Sequence, residues 1–158
     1  MNKLICKNKL RNIAIILIIA MFFIGDRALK TLALQQTEAK LLLGKVFLFN
    51  FTKNYNISFS LPLSGPILNI SIIVIILGLI FVIYKLILKE KCLSLKSLLL
   101  TFILFGAISN MVDRLQYGYV IDYLELKYFT VFNLADVMIS CGVLILIVSL
   151  MRDKKYVE

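Results

Sequence analysis

Four apolar runs, at about residues 10–25, 67–88, 98–112 and 134–151, decide what this 158-residue chain can become. About 20 helical residues cross the hydrocarbon core of a bilayer, and the second run is long enough to do so alone. With 61% apolar residues and a mean hydropathy of +0.94, the chain carries more apolar surface than a soluble domain of this size can bury. A bilayer solvates that surface. The expected fold is an α-helical membrane protein with four transmembrane helices, forming a single domain over residues 1–158. The first and third runs are short, which predicts helices whose ends break into a polar site at one face.

The formal net charge of +9 is the kind of excess that nucleic acid attracts, but its placement points elsewhere. Residues 1–12, 85–97 and 151–158 hold 11 of the 18 Lys and Arg, about three times the density found in 26–66 and 113–133. Cations concentrated just outside apolar runs mark cytoplasmic loops. Both termini are therefore expected to be cytoplasmic, and no nucleic-acid partner is expected. The aspartates show the opposite bias. Asp26, Asp113, Asp122 and Asp136 fall at the outer face and only Asp153 at the inner one. The basic start of the chain also resembles a secretory leader, but no small-x-small site follows Phe23, and Asp26-Arg27 comes directly after. The first run is expected to remain as a helix.

The chain has no histidine, which excludes His-dependent triads, HExxH zinc sites and histidine proton relays. Cys6, Cys92 and Cys141 have no CxxC spacing, so no metal site is expected; with Cys6 and Cys92 on the cytoplasmic side and Cys141 inside a helix, no structural disulfide is expected either.

Between the first two helices, an outer stretch of about 26–66 has strand character at 45–51 and 57–61. Thr52-Lys53-Asn54-Tyr55-Asn56 reads as the turn between them, and Pro62, Gly65 and Pro66 close the segment. A further strand is expected over 117–124. These pieces predict a small extracytoplasmic sheet resting at the membrane surface, with Phe47, Phe49, Phe51 and Phe59 forming an interfacial face.

Two carboxylates at one membrane face are costly unless they are paired with cations or put to use. Asp122 and Asp136 flank the start of the last run. Brought together they cannot both ionise comfortably, and a pair sharing one proton acts as base and acid on a single water molecule. Asn133 and Asp136 are also spaced as an N-cap and a first-turn acid, but capping alone does not explain why Asp122 stands at the same face. Asn110, Asp113 and Arg114 share one helix face, where a local ion pair of Asp113 with Arg114 or a neighbour is the plain reading. Asp26 and Lys30, four residues apart, suit a structural salt bridge.

Five landmarks then fall in order: Asp26-Arg27-Ala28-Leu29-Lys30, Asn54-Tyr55-Asn56-Ile57-Ser58-Phe59, Gly106 to Arg114, Gly118-Tyr119-Val120-Ile121-Asp122-Tyr123, and Phe132-Asn133-Leu134-Ala135-Asp136. In them the chain resembles the lipoprotein signal peptidases, or signal peptidase II, over nearly its whole length. The resemblance implies a bacterial inner-membrane aspartic endopeptidase with its site at the extracytoplasmic face. It would remove signal peptides from diacylglyceryl-modified prolipoproteins by cutting before the lipidated cysteine, as a monomer among membrane lipids and without a cofactor. It further implies Asp122 and Asp136 as the catalytic dyad. Asn54, Asn110, Arg114 and Asn133 would bind substrate or brace the dyad, and Asp26, Lys30 and Asp113 would support the site. Two departures stand out: Arg27 replaces the family's usual Gln, and Asn56 and Ser58 stand where Gly and Ala are usual. Asn56 tolerates the left-handed backbone of the glycine it replaces. A transporter reading would want acids spread through the membrane depth, which this chain lacks, and a non-cutting binder of lipoproteins remains the other alternative.

Overall fold

The computed structural model describes residues 9–43, 46–56 and 65–154. Among these are four helices long and apolar enough to cross a membrane: α1 (Lys9–Leu34), α2 (Pro66–Glu90), α3 (Leu95–Tyr117) and α4 (Leu134–Lys154). Two strands, β1 (Lys40–Leu43) and β2 (Phe47–Asn54), follow α1. Two more, β3 (Val120–Leu126) and β4 (Thr130–Phe132), join α3 to α4.

The four-helix expectation holds, but α1 and α3 do not break at residues 25 and 112. The first continues to Leu34 and the third to Tyr117, about two and a half and one and a half further turns, and these carry Asp26, Lys30, Asp113 and Arg114. Hydropathy ends where the charges begin. The helices do not, because these charged groups face one another rather than lipid.

α3 is the central helix. Its buried face runs from Leu98 through Ile103, Gly106 and Ser109 to Asp113. Two edge-to-face ring pairs, Phe22–Phe102 at 5.6 Å and Phe23–Phe105 at 5.4 Å, lock it to α1. Against α4 it approaches closely at Gly106, where a Cβ would stand 2.7 Å from the Ala135 carbonyl oxygen. Lipid tails are as apolar as leucine, so helix association in a bilayer rests on close packing, which small residues permit. α2, by contrast, buries only Leu68 among its described residues and presents Ile70, Val74, Ile75, Leu77 and Phe81 outward. A helix apolar all round suits a lipid environment.

The strands form one antiparallel sheet in the order β1-β2-β3-β4. β2 realises the strand expected at 45–51 but runs on through Thr52 to Asn54, the tract expected to turn. It does so because β3 pairs with it there, Asn54 opposite Val120 and Thr52 opposite Asp122. The strand expected at 57–61 lies outside the described residues. β3 starts later than expected because Gly118 first ends α3. With φ +80° it adopts the left-handed cap, and its N–H bonds the Arg114 carbonyl at 3.0 Å. β1 and β4 were not anticipated, being too short to show an alternating pattern. Ala33, Ile121 and Tyr123 form the core that joins sheet to helices, with Phe49 and Leu29 packed on it. Cys92 is disulfide-bonded and Cys141 is free and exposed. The expectation of no disulfide rested on placing Cys92 on the reducing cytoplasmic side, and the bonded Cys92 overturns it.

Candidate active site

The site grows from the first turn of α4. The Asn133 Oδ1 accepts the Asp136 N–H at 2.9 Å, and the Asp136 Oδ2 accepts the Asn133 N–H at 3.2 Å. This reciprocal cap satisfies donors that a helix start leaves open. The Asn133 Nδ2 is free to reach elsewhere, and it donates to Asp122 Oδ1 at 2.6 Å. Capping and site-building are thus the same residue's work, and one buried asparagine touches both aspartates.

Asp122 reaches this point from β3. Its other oxygen, Oδ2, accepts from the Asn54 Nδ2 at 2.9 Å, the diagonal cross-strand neighbour on the same face of the sheet. Asp122 is 2% exposed. Burial, followed by the charge of Asp136, pushes its carboxyl up to about 7, against the opposing pull of the Asn54 and Asn133 amides. Asp136 is held from α3, where the Asn110 Nδ2 donates to its Oδ1 at 2.8 Å.

Behind the two aspartates lies a buried ionic cluster. The Lys30 ammonium has three donors and three acceptors: Asn110 Oδ1 at 2.8 Å, Asp113 Oδ2 at 2.8 Å and Asp26 Oδ2 at 3.0 Å. Asp26 also accepts from Ser109 Oγ at 2.5 Å, Tyr123 Oη at 2.9 Å and the Ala135 N–H at 3.1 Å. Asp113 accepts from Arg27 Nη1 at 2.5 Å and the Ile121 N–H at 3.2 Å. Two carboxylates meet two cations, so the charges cancel where they are out of water.

The local pair of Asp113 with Arg114 does not form. Asp113 turns across to Arg27 and Lys30 of α1, while Arg114 donates to the carbonyls of Asn56 at 2.6 Å and Tyr55 at 3.4 Å. Arg114 thereby pins the chain just after β2. Asn56 does not take left-handed backbone, since Lys91 and Tyr128 are the non-glycine residues with positive φ among those described. Its N–H instead bonds Asn54 Oδ1 at 3.0 Å, which orients the Asn54 amide toward Asp122.

All nine residues singled out from the sequence therefore fall in one connected network. Three more belong to it. Ser109 was detectable, lying four residues before Asp113 on the same helix face. Arg27 was noticed only as a departure, and nothing local indicates that its partner is Asp113. Tyr123 gave no signal, because alternation along β3 points it away from Asp122.

Asp122 and Asp136 open on a cavity of about 600 Å³. Asn54, Tyr55 and Asn56 line one side, Phe129 to Phe132 another, and Val137, Ser140 and Cys141 of α4 continue it along the helix. Its walls are mainly apolar, with the carboxyl groups at the polar end. Among the described residues, no group of three or more His, Cys, Asp or Glu is placed to hold a metal.

The fold and site define a class: a polytopic membrane protein with paired, amide-braced aspartates where its helix bundle meets a small sheet. The family model described as Signal peptidase (SPase) II matches residues 17–152. Among similar proteins, the "Lipoprotein signal peptidase" of Clostridium tetani is 31% identical over 149 residues, covering 89% of this chain and 94% of that one. That of Moorella thermoacetica is 33% identical over 112 residues, covering 71% and 73%. Two solved in meso structures of bacterial membrane enzymes share the fold. One has a TM-score of 0.78 at 20% identity and covers 92% of each chain; the other has 0.72 at 21%, covering 89% of this chain and 94% of that one. The chain belongs to the signal peptidase II family and is a peptidase.

Proposed function

We propose that this peptidase is of the aspartic type, with Asp122 and Asp136 as its dyad, and that its substrates are diacylglyceryl-modified prolipoproteins cut just before the lipidated cysteine. The observation that carries the reading is the single Asn133 side chain and backbone in contact with both carboxyl groups that line the cavity. The names of the similar proteins point to the same substrate class.

The pair holds one proton near neutral pH. Its location belongs to the pair rather than to either residue. The carboxylate member takes a proton from water as the oxygen attacks the scissile carbonyl. The protonated member donates to the carbonyl oxygen; as the C–N bond breaks, the carboxyl that took the water's proton gives it to the departing amine, and the re-forming carbonyl returns a hydroxyl proton to the other carboxylate. Asn54, Asn110 and Asn133 hold each carboxyl in one orientation, which removes the entropy cost of finding it. Lys30 orients the Asn110 amide. Arg114 steadies the segment that roofs the cavity. The apolar cavity wall along α4 suits a lipidated residue entering from the bilayer.

The distribution of cations supports cytoplasmic termini and an extracytoplasmic site in a bacterial inner membrane. The experiment is a synthetic prolipoprotein prepared with and without its diacylglyceryl group, and the products weighed by mass spectrometry. Cleavage that leaves diacylglyceryl-cysteine at the new N-terminus, and needs the lipid, is expected. Equal cleavage of the unmodified peptide would refute the substrate assignment.

A further inference from the structure

The first three amides of α4 each end on a different part of the molecule. Leu134 N–H donates to the Tyr123 hydroxyl of β3 at 3.0 Å, Ala135 N–H to Asp26 of α1 at 3.1 Å, and Asp136 N–H to the Asn133 cap at 2.9 Å. The Tyr123 hydroxyl in turn donates to Asp26 Oδ1 at 2.9 Å, so one oxygen ties β3, α1 and α4 together. Two of those elements, β3 and α4, carry Asp122 and Asp136. Tyr123 directly follows Asp122, and Leu134 stands two residues before Asp136.

We propose that Tyr123 is a positioning residue of the reaction, whose hydroxyl sets the spacing of Asp122 from Asp136 by joining their two elements. This inference rests on the dyad reading above. Tyr123 is fully buried and does not line the cavity, as the alternation of side chains along β3 requires. It therefore acts on the dyad without touching substrate. Its ring is seated independently of the hydroxyl, packed with Ala33 and Ile121 and lying 5.5 Å from the Phe49 ring. Burial, followed by the charge of Asp26, pushes the phenol well above its ordinary value, so it stays a neutral donor throughout the working pH range. A shift of an ångström between reacting groups affects the rate of the chemical step far more than substrate binding.

The test is Tyr123→Phe in the full-length enzyme, which removes one oxygen and keeps the ring. Asp122→Asn and Asp136→Asn are run beside it on the same diacylglyceryl prolipoprotein. A fall in kcat of about tenfold is expected, with KM within twofold of wild type and the folded fraction unchanged at the assay temperature. Faster hydrogen exchange at the Leu134 amide, with the Asp136 amide unaffected, is the matching structural readout. Unchanged kcat overturns the proposal. So does a loss of activity that only tracks a loss of folded protein, or a rise in KM at constant kcat, which would make Tyr123 a binding residue. If the two asparagine variants cut at the wild-type rate, the dyad reading itself fails. If they are inert and Tyr123→Phe is not slowed, only this inference fails.

Discussion

Lys30 shows how the site is held at the scale of one residue. Its ammonium is wholly buried and every donor is used, on two carboxylates and one amide. Removing one partner of a buried ion pair leaves an uncompensated charge and typically costs about 3–5 kcal/mol. Lys30→Met is therefore expected to lower stability by about that much, read as a fall in the unfolding midpoint in detergent. At Asp122 the consequence is a pH dependence. A carboxyl raised to about 7 holds a proton in the folded protein that an unfolded chain releases above its ordinary value of 3.8. Its contribution to stability is thus full below that ordinary value and is lost as pH rises through about 7. On the proposed aspartic mechanism the shared proton goes with it, so processing should fall on the alkaline side of about 7. An enzyme equally fast at pH 6 and pH 9 would contradict this. Asp122 and Asp136 were legible in the sequence as two acids at one membrane face, whereas Asn54, Asn110 and Asn133 were joined to them only through the family resemblance. Arg27 was not legible, since its partner Asp113 lies 86 residues away.

At the scale of elements, the proposed dyad depends on how closely α3 meets the start of α4. Asn110 sits one turn beyond Gly106, where an added methyl would meet the Ala135 backbone oxygen at 2.7 Å. Backbone cannot swing aside as a side chain does. Gly106→Ala should force the helices apart, stretch the bond from Asn110 to Asp136, and cost about 1–3 kcal/mol of stability together with most of the activity. Gly78 on α2 is the control, because nothing lies within 4 Å of the corresponding Cβ. Gly78→Ala should leave processing unchanged and match or exceed wild-type stability, helix interiors favouring alanine by up to about 1 kcal/mol. Assaying the two variants in one membrane preparation checks both outcomes. The helices themselves were legible as apolar runs, but their outer ends were not. Hydropathy cannot distinguish a charge that ends a span from one paired with a neighbouring helix. Strand pairing was only partly legible for a similar reason: β2 takes β3 as its partner, and that choice is made by the tertiary fold.

For the whole molecule, the arrangement is a membrane bundle whose polar interior is concentrated near one end. The sheet closes over that end, and the cavity runs from the aspartates along α4. The cation distribution predicts cytoplasmic termini, so reporters fused to either terminus should be active on the cytoplasmic side only. The central claim is that Asp122 and Asp136 work as one catalytic unit. It is tested most directly by measuring binding and single-turnover cleavage of a diacylglyceryl prolipoprotein by wild type, Asp122→Asn and Asp136→Asn in the same detergent. Asparagine keeps the size and the hydrogen bonding but cannot exchange the proton. The prediction is that both variants fold, bind with near wild-type affinity and fail to cut; a variant that binds and cuts at the wild-type rate would contradict it.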